Sequence, residues 1–119
     1  MKGMRLIIVE DEVLAAMMLE DLLNDLGCEV VASFGAVGQA LEWLRGQVDL
    51  PDGAVLDVNL GGEMVFPFAE ALAERQVPFA FATGYGSLSD LRFSDSPLIH
   101  KPVDLGRLAQ VVHGFKAAA

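Results

Sequence analysis

Short apolar runs alternate with longer segments of helical period along the whole chain. The apolar runs cover residues 4–9, 29–33, 53–56, 79–83 and 98–100. The segments of helical period cover residues 13–26, 37–44, about 66–75 and 105–116. The helical repeat and the nearly continuous apolar character of the short runs are typical of buried parallel strands joined by helices. The pattern therefore predicts an α/β, doubly wound parallel sheet with right-handed crossovers.

The stretch between the fourth and fifth apolar runs is the weakest part of this pattern. It is rich in Gly, Ser and Asp, and its only apolar anchors are Leu88, Leu91 and Phe93. Glycine and the small polar residues are poor helix formers. We therefore predict five strands and five helices, the fourth helix being short and weak. Pro67 suits the first turn of the third helix, and Asp104 is the predicted cap of the last one.

Size and charge limit the classes of function. A chain of 119 residues is large enough for one domain and too small for two. The formal net charge of -9 disfavours direct binding to nucleic acid, which requires clustered Lys and Arg. The first apolar run is too short for a signal peptide or a membrane span, and the lone Cys28 excludes an internal disulfide. We expect a protein of the reducing cytoplasm with no membrane partner.

Charged residues follow three of the apolar runs directly. Glu10, Asp11 and Glu12 follow the first run, Asp57 follows the third, and Lys101 follows the fifth. Parallel strands bring their carboxyl ends to one edge of the sheet, where ligands of open α/β folds bind. The sequence thus predicts a site at this edge, built from separated segments.

Three acids in contact need a balancing charge or a proton. A pair of carboxylates 4 Å apart repels by about 4 kcal/mol at an effective dielectric near 20. One carboxyl group can stay protonated, or a divalent cation such as Mg²⁺ can bind, and we favour Mg²⁺. Held beside Mg²⁺, Lys101 and the hydroxyl of Thr83, a phosphoryl group would be open to attack by the Asp57 carboxylate. The product would be an aspartyl phosphate.

Four motifs in order carry a resemblance to a known family: Val9-Glu10-Asp11-Glu12, Leu56-Asp57-Val58-Asn59-Leu60, Ala82-Thr83-Gly84 and His100-Lys101-Pro102. Together they resemble the receiver domain of bacterial two-component response regulators, the CheY-like superfamily, over essentially the whole chain. The resemblance implies a flavodoxin-like (βα)5 fold with sheet order 2-1-3-4-5. Residues 1–119 would then form a single receiver domain without an output domain.

The resemblance also implies roles for the residues at the predicted edge. Asp57 would be the phosphoacceptor, and Asp11 and Asp57 would bind Mg²⁺ together with the backbone carbonyl of Asn59. Glu10 would act on the metal mainly through a bound water. Thr83 and Lys101 would contact the phosphoryl group, and the peptide bond before Pro102 would be cis.

A narrower resemblance concerns the segment Pro78 to Gly86, which is similar to the Phe-Ala-Thr-Gly-Tyr subgroup of receivers. Many members of that subgroup are stand-alone regulators or phosphorelay shuttles. Asn59, Gly84 and Tyr85 occupy places that modulate hydrolysis of the aspartyl phosphate in the family, and Tyr85 either shields the phosphorus atom or packs on the surface.

One position departs from the family pattern. Typical receivers carry an aromatic residue three positions before the lysine of strand five, and this chain has Leu98 there. The usual aromatic toggle is therefore in question. Our hypothesis is that the loop from Gly84 to Gly86 and the weak segment behind it become ordered on phosphorylation.

The resemblance implies a signalling module rather than an enzyme, apart from its self-catalysed phosphorylation and dephosphorylation. The expected partners are a histidine kinase or a histidine phosphotransfer protein, and an unknown protein target. Two other functions stay open. One is a phosphorylation-independent interaction module on the same fold. The other is an Mg²⁺-dependent phosphatase with Asp57 as nucleophile, which is disfavoured because Asn59 stands where such enzymes place a second acid.

Several conspicuous side chains have ordinary structural interpretations. Met17 and Met18 fall in a helical core pattern, so adaptable packing is their expected role. Cys28 follows a helix-ending glycine and is expected to pack rather than react. His100 and His113 are expected to be structural and solvated, respectively. Trp43 is expected in the core or at its rim.

Overall fold

A five-stranded parallel sheet with helices on both faces forms the body of the protein. The computed structural model describes residues 3–84 and 91–118. In chain order its elements are β1 (Arg5–Val9), α1 (Val13–Asp25), β2 (Glu29–Phe34), α2 (Val37–Arg45), β3 (Gly53–Asp57), β4 (Asn59–Leu60), β5 (Glu63–Met64), α3 (Phe66–Glu74), β6 (Phe79–Thr83), a 3₁₀ turn (Leu91–Phe93), β7 (Leu98–His100) and α4 (Leu105–Ala118). Within the described ranges, no helix combines the length and apolar composition that a membrane crossing requires.

The sheet has the strand order β2-β1-β3-β6-β7, and each neighbouring pair is parallel. This confirms the predicted flavodoxin-like topology. The labels differ from 2-1-3-4-5 because a small antiparallel hairpin, β4 with β5, follows β3. The sequence pattern did not predict this hairpin, since each of its strands has only two residues.

Alternation along β1 distributes the core between the two faces of the sheet. Leu6 and Ile8 belong to a cluster with buried residues of α1 and α4, whereas Ile7 and Val9 belong to a cluster with residues of α2 and α3. All four side chains are fully buried. A central strand covered on both faces has this continuous apolar character, which explains the uninterrupted run in the sequence.

Glycine at the start of β3 allows α4 to lie close against the sheet. A Cβ atom added to Gly53 would lie 2.4 Å from a carbon of the Phe115 ring. Phe115 itself is almost fully buried. A larger side chain at residue 53 would therefore displace α4 from the start of β3.

Helix α1 corrects one sequence-based prediction. Only Leu19 and Leu23 of this helix are buried. Met17 and Met18 are 56% and 64% exposed, so the predicted core role of both methionines is wrong. The helix is apolar around most of its circumference, and its period alone did not identify the face that packs on the sheet.

The described part of the segment before β7 is anchored to the core by Phe93. In its described part the chain forms the 3₁₀ turn rather than an α-helix, and Phe93 is buried. The Phe93 ring stacks on Phe66 at 5.8 Å and meets Phe79 and Phe81 edge-on. Phe93 thus acts as the apolar anchor that the sequence indicated for this segment. Leu98 packs beside the same cluster.

Three further structural predictions are confirmed. Cys28 is buried, Trp43 is half-buried with its ring tilted against Phe34, and His113 is exposed. His100 is exposed as well, and its expected structural role stays a prediction. Pro67 stands in the first turn of α3, and the carboxylate of Asp104 accepts a hydrogen bond from the Arg107 N–H at the start of α4.

Candidate functional site

A polar cleft of about 310 Å³ opens at the carboxyl edge of the sheet. The loops after β1, β3, β6 and β7 all contribute to its walls. The residues that line it are Asp11, Glu12, Asp57, Asn59, Gly61, Gly62, Thr83, Gly84 and Lys101. The charges that follow separate apolar runs in the sequence are thus brought to one place by the parallel topology.

Three carboxylates converge at this edge of the sheet. Glu10 and Asp11 follow β1, and Asp57 is the last residue of β3, the strand next to β1. One carboxylate oxygen from each residue lies within 4.8 Å of the other two. Glu10 is buried, Asp57 half-buried and Asp11 exposed, so the acidic cluster runs from the protein interior to the surface.

Lys101 bridges two of these acids. Its Nζ atom donates hydrogen bonds to Glu10 Oε1 at 2.6 Å and to Asp57 Oδ1 at 3.2 Å. The side chains of Glu10 and Asp57 are only 5% and 12% exposed, and that of Lys101 is 28% exposed. Lys101 therefore has one face toward the two acids and another toward the cleft.

The pKa values of Asp57, Glu10 and Lys101 are shifted in different directions. Burial raises the pKa of Asp57, the negative charge of Glu10 raises it further, and Lys101 only partly opposes them, so the pKa is about 6. Burial also acts to raise the pKa of Glu10, but hydrogen bonds from Lys101 and the Glu12 N–H outweigh it and leave that pKa lowered. Burial acts against the charge of Lys101, yet its two carboxylate partners leave its pKa raised.

Thr83 and Asn59 complete the walls on either side of Asp57. Thr83 ends β6 and is buried, and its strand pairs directly with β3. The Asn59 Oδ1 atom accepts a 2.6 Å hydrogen bond from the Gly62 N–H, which closes the turn of the small hairpin. Gly61 and Gly62 adopt φ values of +66° and +101°, which residues with a side chain rarely reach.

The donor set suits a hard divalent cation. Three acids face one lysine, so the fully ionised cluster carries an excess of negative charge. Carboxylate and carbonyl oxygens are the ligands that Mg²⁺ prefers, and an exposed position such as that of Asp11 leaves room for its waters. The chemistry of these residues therefore fits Mg²⁺.

The structure brings together Glu10, Asp11, Asp57, Asn59, Gly84, Thr83 and Lys101, all of which the sequence placed in one site. The Lys101–Pro102 peptide bond is cis, as predicted. Tyr85 and Gly86, with the hypotheses about them, lie outside the described residues.

Sequence reasoning missed three contributors to the cleft. The turn glycines Gly61 and Gly62 line one side of it, and a Cβ atom on Gly61 would lie 3.5 Å from Asp11 Oδ2. The backbone N–H of Glu12 donates to Glu10 Oε2. The Gly-Gly pair two residues after Asn59 was a usable signal for the turn, whereas the Glu12 backbone contact has no signature in the sequence.

Comparison with known proteins agrees with this architecture. Residues 6–113 match the family model described as the response regulator receiver domain. The chain therefore belongs to the response regulator receiver family of two-component systems, in which phosphorylation and magnesium binding are typical. No curated protein sequence matches the chain.

Solved structures give the same result. The solution structure of SdrG from Sphingomonas melonis Fr1 is 41% identical, with 96% of this chain and 97% of SdrG covered and a TM-score of 0.80. The solution structure of the BeF3-activated conformation of SdrG from Pseudomonas melonis Fr1 is 42% identical, with 95% and 97% covered and a TM-score of 0.78. The receiver domain of the PhyR response regulator from Erythrobacter litoralis is 25% identical, with 98% and 92% covered and a TM-score of 0.83.

Proposed function

We propose that this chain is a stand-alone receiver that accepts a phosphoryl group on Asp57 from a phosphohistidine of a histidine kinase or phosphotransfer protein. The observation that carries the proposal is the position of Asp57 between Glu10, Asp11 and Lys101 at the edge of the cleft. The phosphorylated form would signal through contacts with a protein target. The stand-alone role is supported by the match over 97% of the SdrG chain.

The proposed reaction transfers the phosphoryl group from an imidazole nitrogen to a carboxylate oxygen. An Asp57 oxygen forms a bond to phosphorus as the P–N bond of the phosphohistidine breaks, and the imidazole keeps the electron pair and takes up a proton from solvent. The carboxylate must be ionised to act as nucleophile, and Lys101 favours that form. Lys101 then lies within reach of the new phosphoryl oxygens, and Thr83 supplies a hydroxyl on the neighbouring strand.

Mg²⁺ is the proposed cofactor. Asp11, Asp57 and the backbone carbonyl of Asn59 would hold it, and Glu10 would contribute through a bound water. When bound, the ion supplies positive charge that offsets the acids and stabilises the phosphoryl oxygens. The hydrogen bond from Gly62 to the Asn59 side chain fixes the turn on which that carbonyl lies.

The same hydrogen bond speaks against a phosphatase. A general acid two residues after the nucleophile would need a free proton to donate to a leaving group. Asn59 instead accepts a hydrogen bond within its own turn.

We also propose that the chain belongs to the Phe-Ala-Thr-Gly-Tyr subgroup, which the sequence of residues 79–85 supports. A cytoplasmic location is part of the same proposal and is supported by the single cysteine.

Intact-mass measurement after incubation with acetyl phosphate tests the proposal. We expect one phosphoryl adduct that requires Mg²⁺, disappears with EDTA and is missing in Asp57→Asn. Asp52→Asn, which removes an exposed acid before β3, is the matched control and should label normally. An adduct that persists in Asp57→Asn would overturn the assignment. If acetyl phosphate gives no adduct, the same requirement applies to beryllofluoride: amide shifts around the cleft that depend on Mg²⁺ and Asp57 are expected, and their absence favours the phosphorylation-independent module.

A further inference from the structure

The small hairpin that follows β3 is attached to helix α2 by one side chain. The Glu63 Oε1 atom accepts a hydrogen bond of 3.3 Å from the backbone N–H of Val37. Glu63 is the first residue of β5, and Val37 is the first residue of α2. The two residues are 26 positions apart in the sequence, so the Glu63–Val37 bond joins two separate elements of the fold.

The N-terminus of α2 takes this acceptor from outside its own segment. The first N–H groups of a helix have no carbonyl partner within the helix. The N-cap residue of α2 is Ala36, which makes no side-chain capping bond, and the first turn of the helix contains no acidic residue. Alanine is among the weakest N-cap residues. The Glu63 carboxylate thus provides both the oxygen and the negative charge that a helix N-terminus favours.

The base and the tip of the hairpin are held differently. At the base, the Val65 N–H donates a 3.0 Å hydrogen bond to the Val58 carbonyl, and both side chains are buried. At the tip, residues 61–64 are exposed. Each strand of the hairpin has only two residues, and an isolated two-stranded hairpin is marginally stable at best. The Glu63–Val37 bond ties this exposed part of the hairpin to α2.

The position of the hairpin bears directly on the proposed magnesium site. Asn59, whose backbone carbonyl is a proposed ligand, is the first residue of β4. The turn lies against a second proposed ligand, because a Cβ atom on Gly61 would lie 3.5 Å from Asp11 Oδ2. Mg²⁺ demands near-ideal octahedral geometry. A hairpin displaced from α2 would therefore move the Asn59 carbonyl relative to Asp11 and Asp57 and weaken the site.

We infer that Glu63 is a positioning residue of the proposed magnesium site, because its bond to the Val37 N–H holds the hairpin that carries the Asn59 carbonyl. The inference rests on the proposed function, since the metal ligands are those proposed above. Glu63 is not among the residues that line the cleft, so it acts on the site through the hairpin rather than as a ligand. The loss of a helix-capping acceptor corresponds to a change of about fivefold in an equilibrium constant.

Substitutions of Glu63 test the inference from the acceptor side. Mg²⁺ is titrated into ¹⁵N-labelled protein at constant ionic strength, and amide shifts give the dissociation constant. Glu63→Ala should raise this constant about fivefold. Glu63→Gln keeps a side-chain oxygen that can accept the bond and should retain most of the affinity. Glu42→Ala, which removes an exposed acid from α2 itself, is the matched control for charge and should bind Mg²⁺ as wild type does.

Substitutions of Val37 test the inference from the donor side. Val37→Pro removes the N–H at the first helical position, where proline is tolerated. Ala36 already has φ −143° and ψ 149°, the extended conformation that a residue before proline favours. We expect Val37→Pro to lose as much Mg²⁺ affinity as Glu63→Ala, and the double variant to lose no more than either alone. Val37→Ala keeps the N–H but removes buried volume, so it should destabilise the fold and leave the affinity unchanged.

Hydrogen exchange provides a signature that a purely structural cap would not give. If the Glu63–Val37 bond favours Mg²⁺ binding, Mg²⁺ must favour the bond by the same factor. Saturating Mg²⁺ should therefore slow exchange of the Val37 amide about fivefold in wild type and should have no such effect in Glu63→Ala. Exchange of this amide that is independent of Mg²⁺ in wild type would contradict the inference.

The outcomes separate this inference from the proposed function. Equal dissociation constants for wild type and Glu63→Ala would overturn the inference. Equal losses in Glu63→Gln and Glu63→Ala would also overturn it, because they would assign the effect to charge. Either result would leave the proposed function standing if Asp57 of the wild type is still labelled by acetyl phosphate in the presence of Mg²⁺. A wild type that binds no Mg²⁺ would contradict the proposed cofactor and overturn the inference with it.

Discussion

Lys101 is the residue whose contacts hold the cleft together. It is the cationic partner of Glu10, which is 5% exposed, and it also contacts Asp57. A buried carboxylate that loses its cation keeps its charge at a high energetic penalty or takes up a proton. The stability of the edge and its chemistry therefore depend on the same ammonium group.

Replacing this lysine should affect both properties. In Lys101→Met we expect the free energy of unfolding at neutral pH to fall by about 2 kcal/mol, because Glu10 is left without its partner and Lys101 is only partly buried. Urea unfolding with EDTA present measures this. Lys116→Met, on an exposed position of α4, is the matched control and should change little. Equal midpoints for Lys101→Met and wild type would show that the pair does not stabilise the fold.

Asp57 gives a prediction for pH dependence. Its pKa is about 6 in the folded protein, against an ordinary value of 3.8, so the folded state holds this proton more tightly than the unfolded state. The contribution of Asp57 to stability is therefore fully present below pH 3.8 and is lost as pH rises through 6. The asparagine of Asp57→Asn does not ionise, so this variant should keep its stability as pH rises.

In metal-free buffer at pH 8, Asp57→Asn should be more stable than wild type by roughly 2 kcal/mol, and the difference should vanish near pH 4. Urea unfolding across this pH range, with Asp52→Asn as control, measures it. A difference that is constant with pH would contradict the raised pKa of Asp57.

At the scale of single residues, the sequence predicted which residues form the site better than it predicted which of them contact one another. Asp11, Asp57 and Lys101 could be found because each follows an apolar run, and parallel strands align their ends. The contact between Lys101 and Glu10 could not be predicted from the sequence, because β7 and β1 are separated by two strands in the sheet. Only the flexible length of a lysine side chain allows that contact, and its direction is set by neighbours rather than by the local sequence.

At the scale of elements, the 3₁₀ turn before β7 depends on one aromatic anchor. Phe93 contacts the rings of Phe66, Phe79 and Phe81, and Phe81 lies two residues before Thr83 on β6. Residues two apart on a strand share a face, so this cluster and Thr83 lie on the same side of β6. The end of β6 is thus braced from the side that carries the cleft hydroxyl.

Removing this anchor should be costly for the fold. Phe93→Ala should lower the free energy of unfolding by about 3 kcal/mol, whereas Phe93→Leu, which keeps most of the apolar volume, should lower it by about 1 kcal/mol. Thermal or urea unfolding measures both, and Leu105→Ala at a 40% exposed position is the control. If Phe93→Ala were no worse than that control, the aromatic cluster would not hold the segment.

The bounds of the four α-helices and of the five strands of the parallel sheet were predictable to within about two residues, because these elements have a clear period and a stop signal. The sequence did not predict which face of α1 packs on the sheet. The helix carries apolar residues around most of its circumference, so more than one apolar face fits the helical period. Packing selects Leu19 and Leu23 and leaves Met17 and Met18 in solvent. The hairpin after β3 escaped prediction because strands of two residues have no measurable period.

At the scale of the whole molecule, acidic charge is the dominant property. The net charge is -9, and the clustered acids of the cleft repel one another in addition to this general field. Any cation that binds the folded state alone will stabilise it. A divalent cation should therefore stabilise the protein by an amount that grows with the logarithm of its affinity for the cleft.

We expect 10 mM Mg²⁺ to raise the free energy of unfolding by about 1.4 kcal/mol for a dissociation constant of about 1 mM. Asp11→Asn should lose most of this gain because it removes a proposed ligand. Asp21→Asn, an exposed acid on α1 away from the cleft, should retain it. Calorimetric unfolding at constant ionic strength separates binding from screening. An equal increase in the free energy of unfolding of both variants would show that Mg²⁺ only screens the net negative charge of the protein.

Asp57 is the residue that we propose receives the phosphoryl group. Borohydride reduction of the phosphorylated protein converts an aspartyl phosphate to homoserine, and peptide mapping then locates the modified residue. We predict homoserine at residue 57 only, dependent on Mg²⁺ and absent after EDTA treatment. Modification of Asp11 or Glu10 in place of Asp57 would contradict the assignment of Asp57 as the phosphoacceptor.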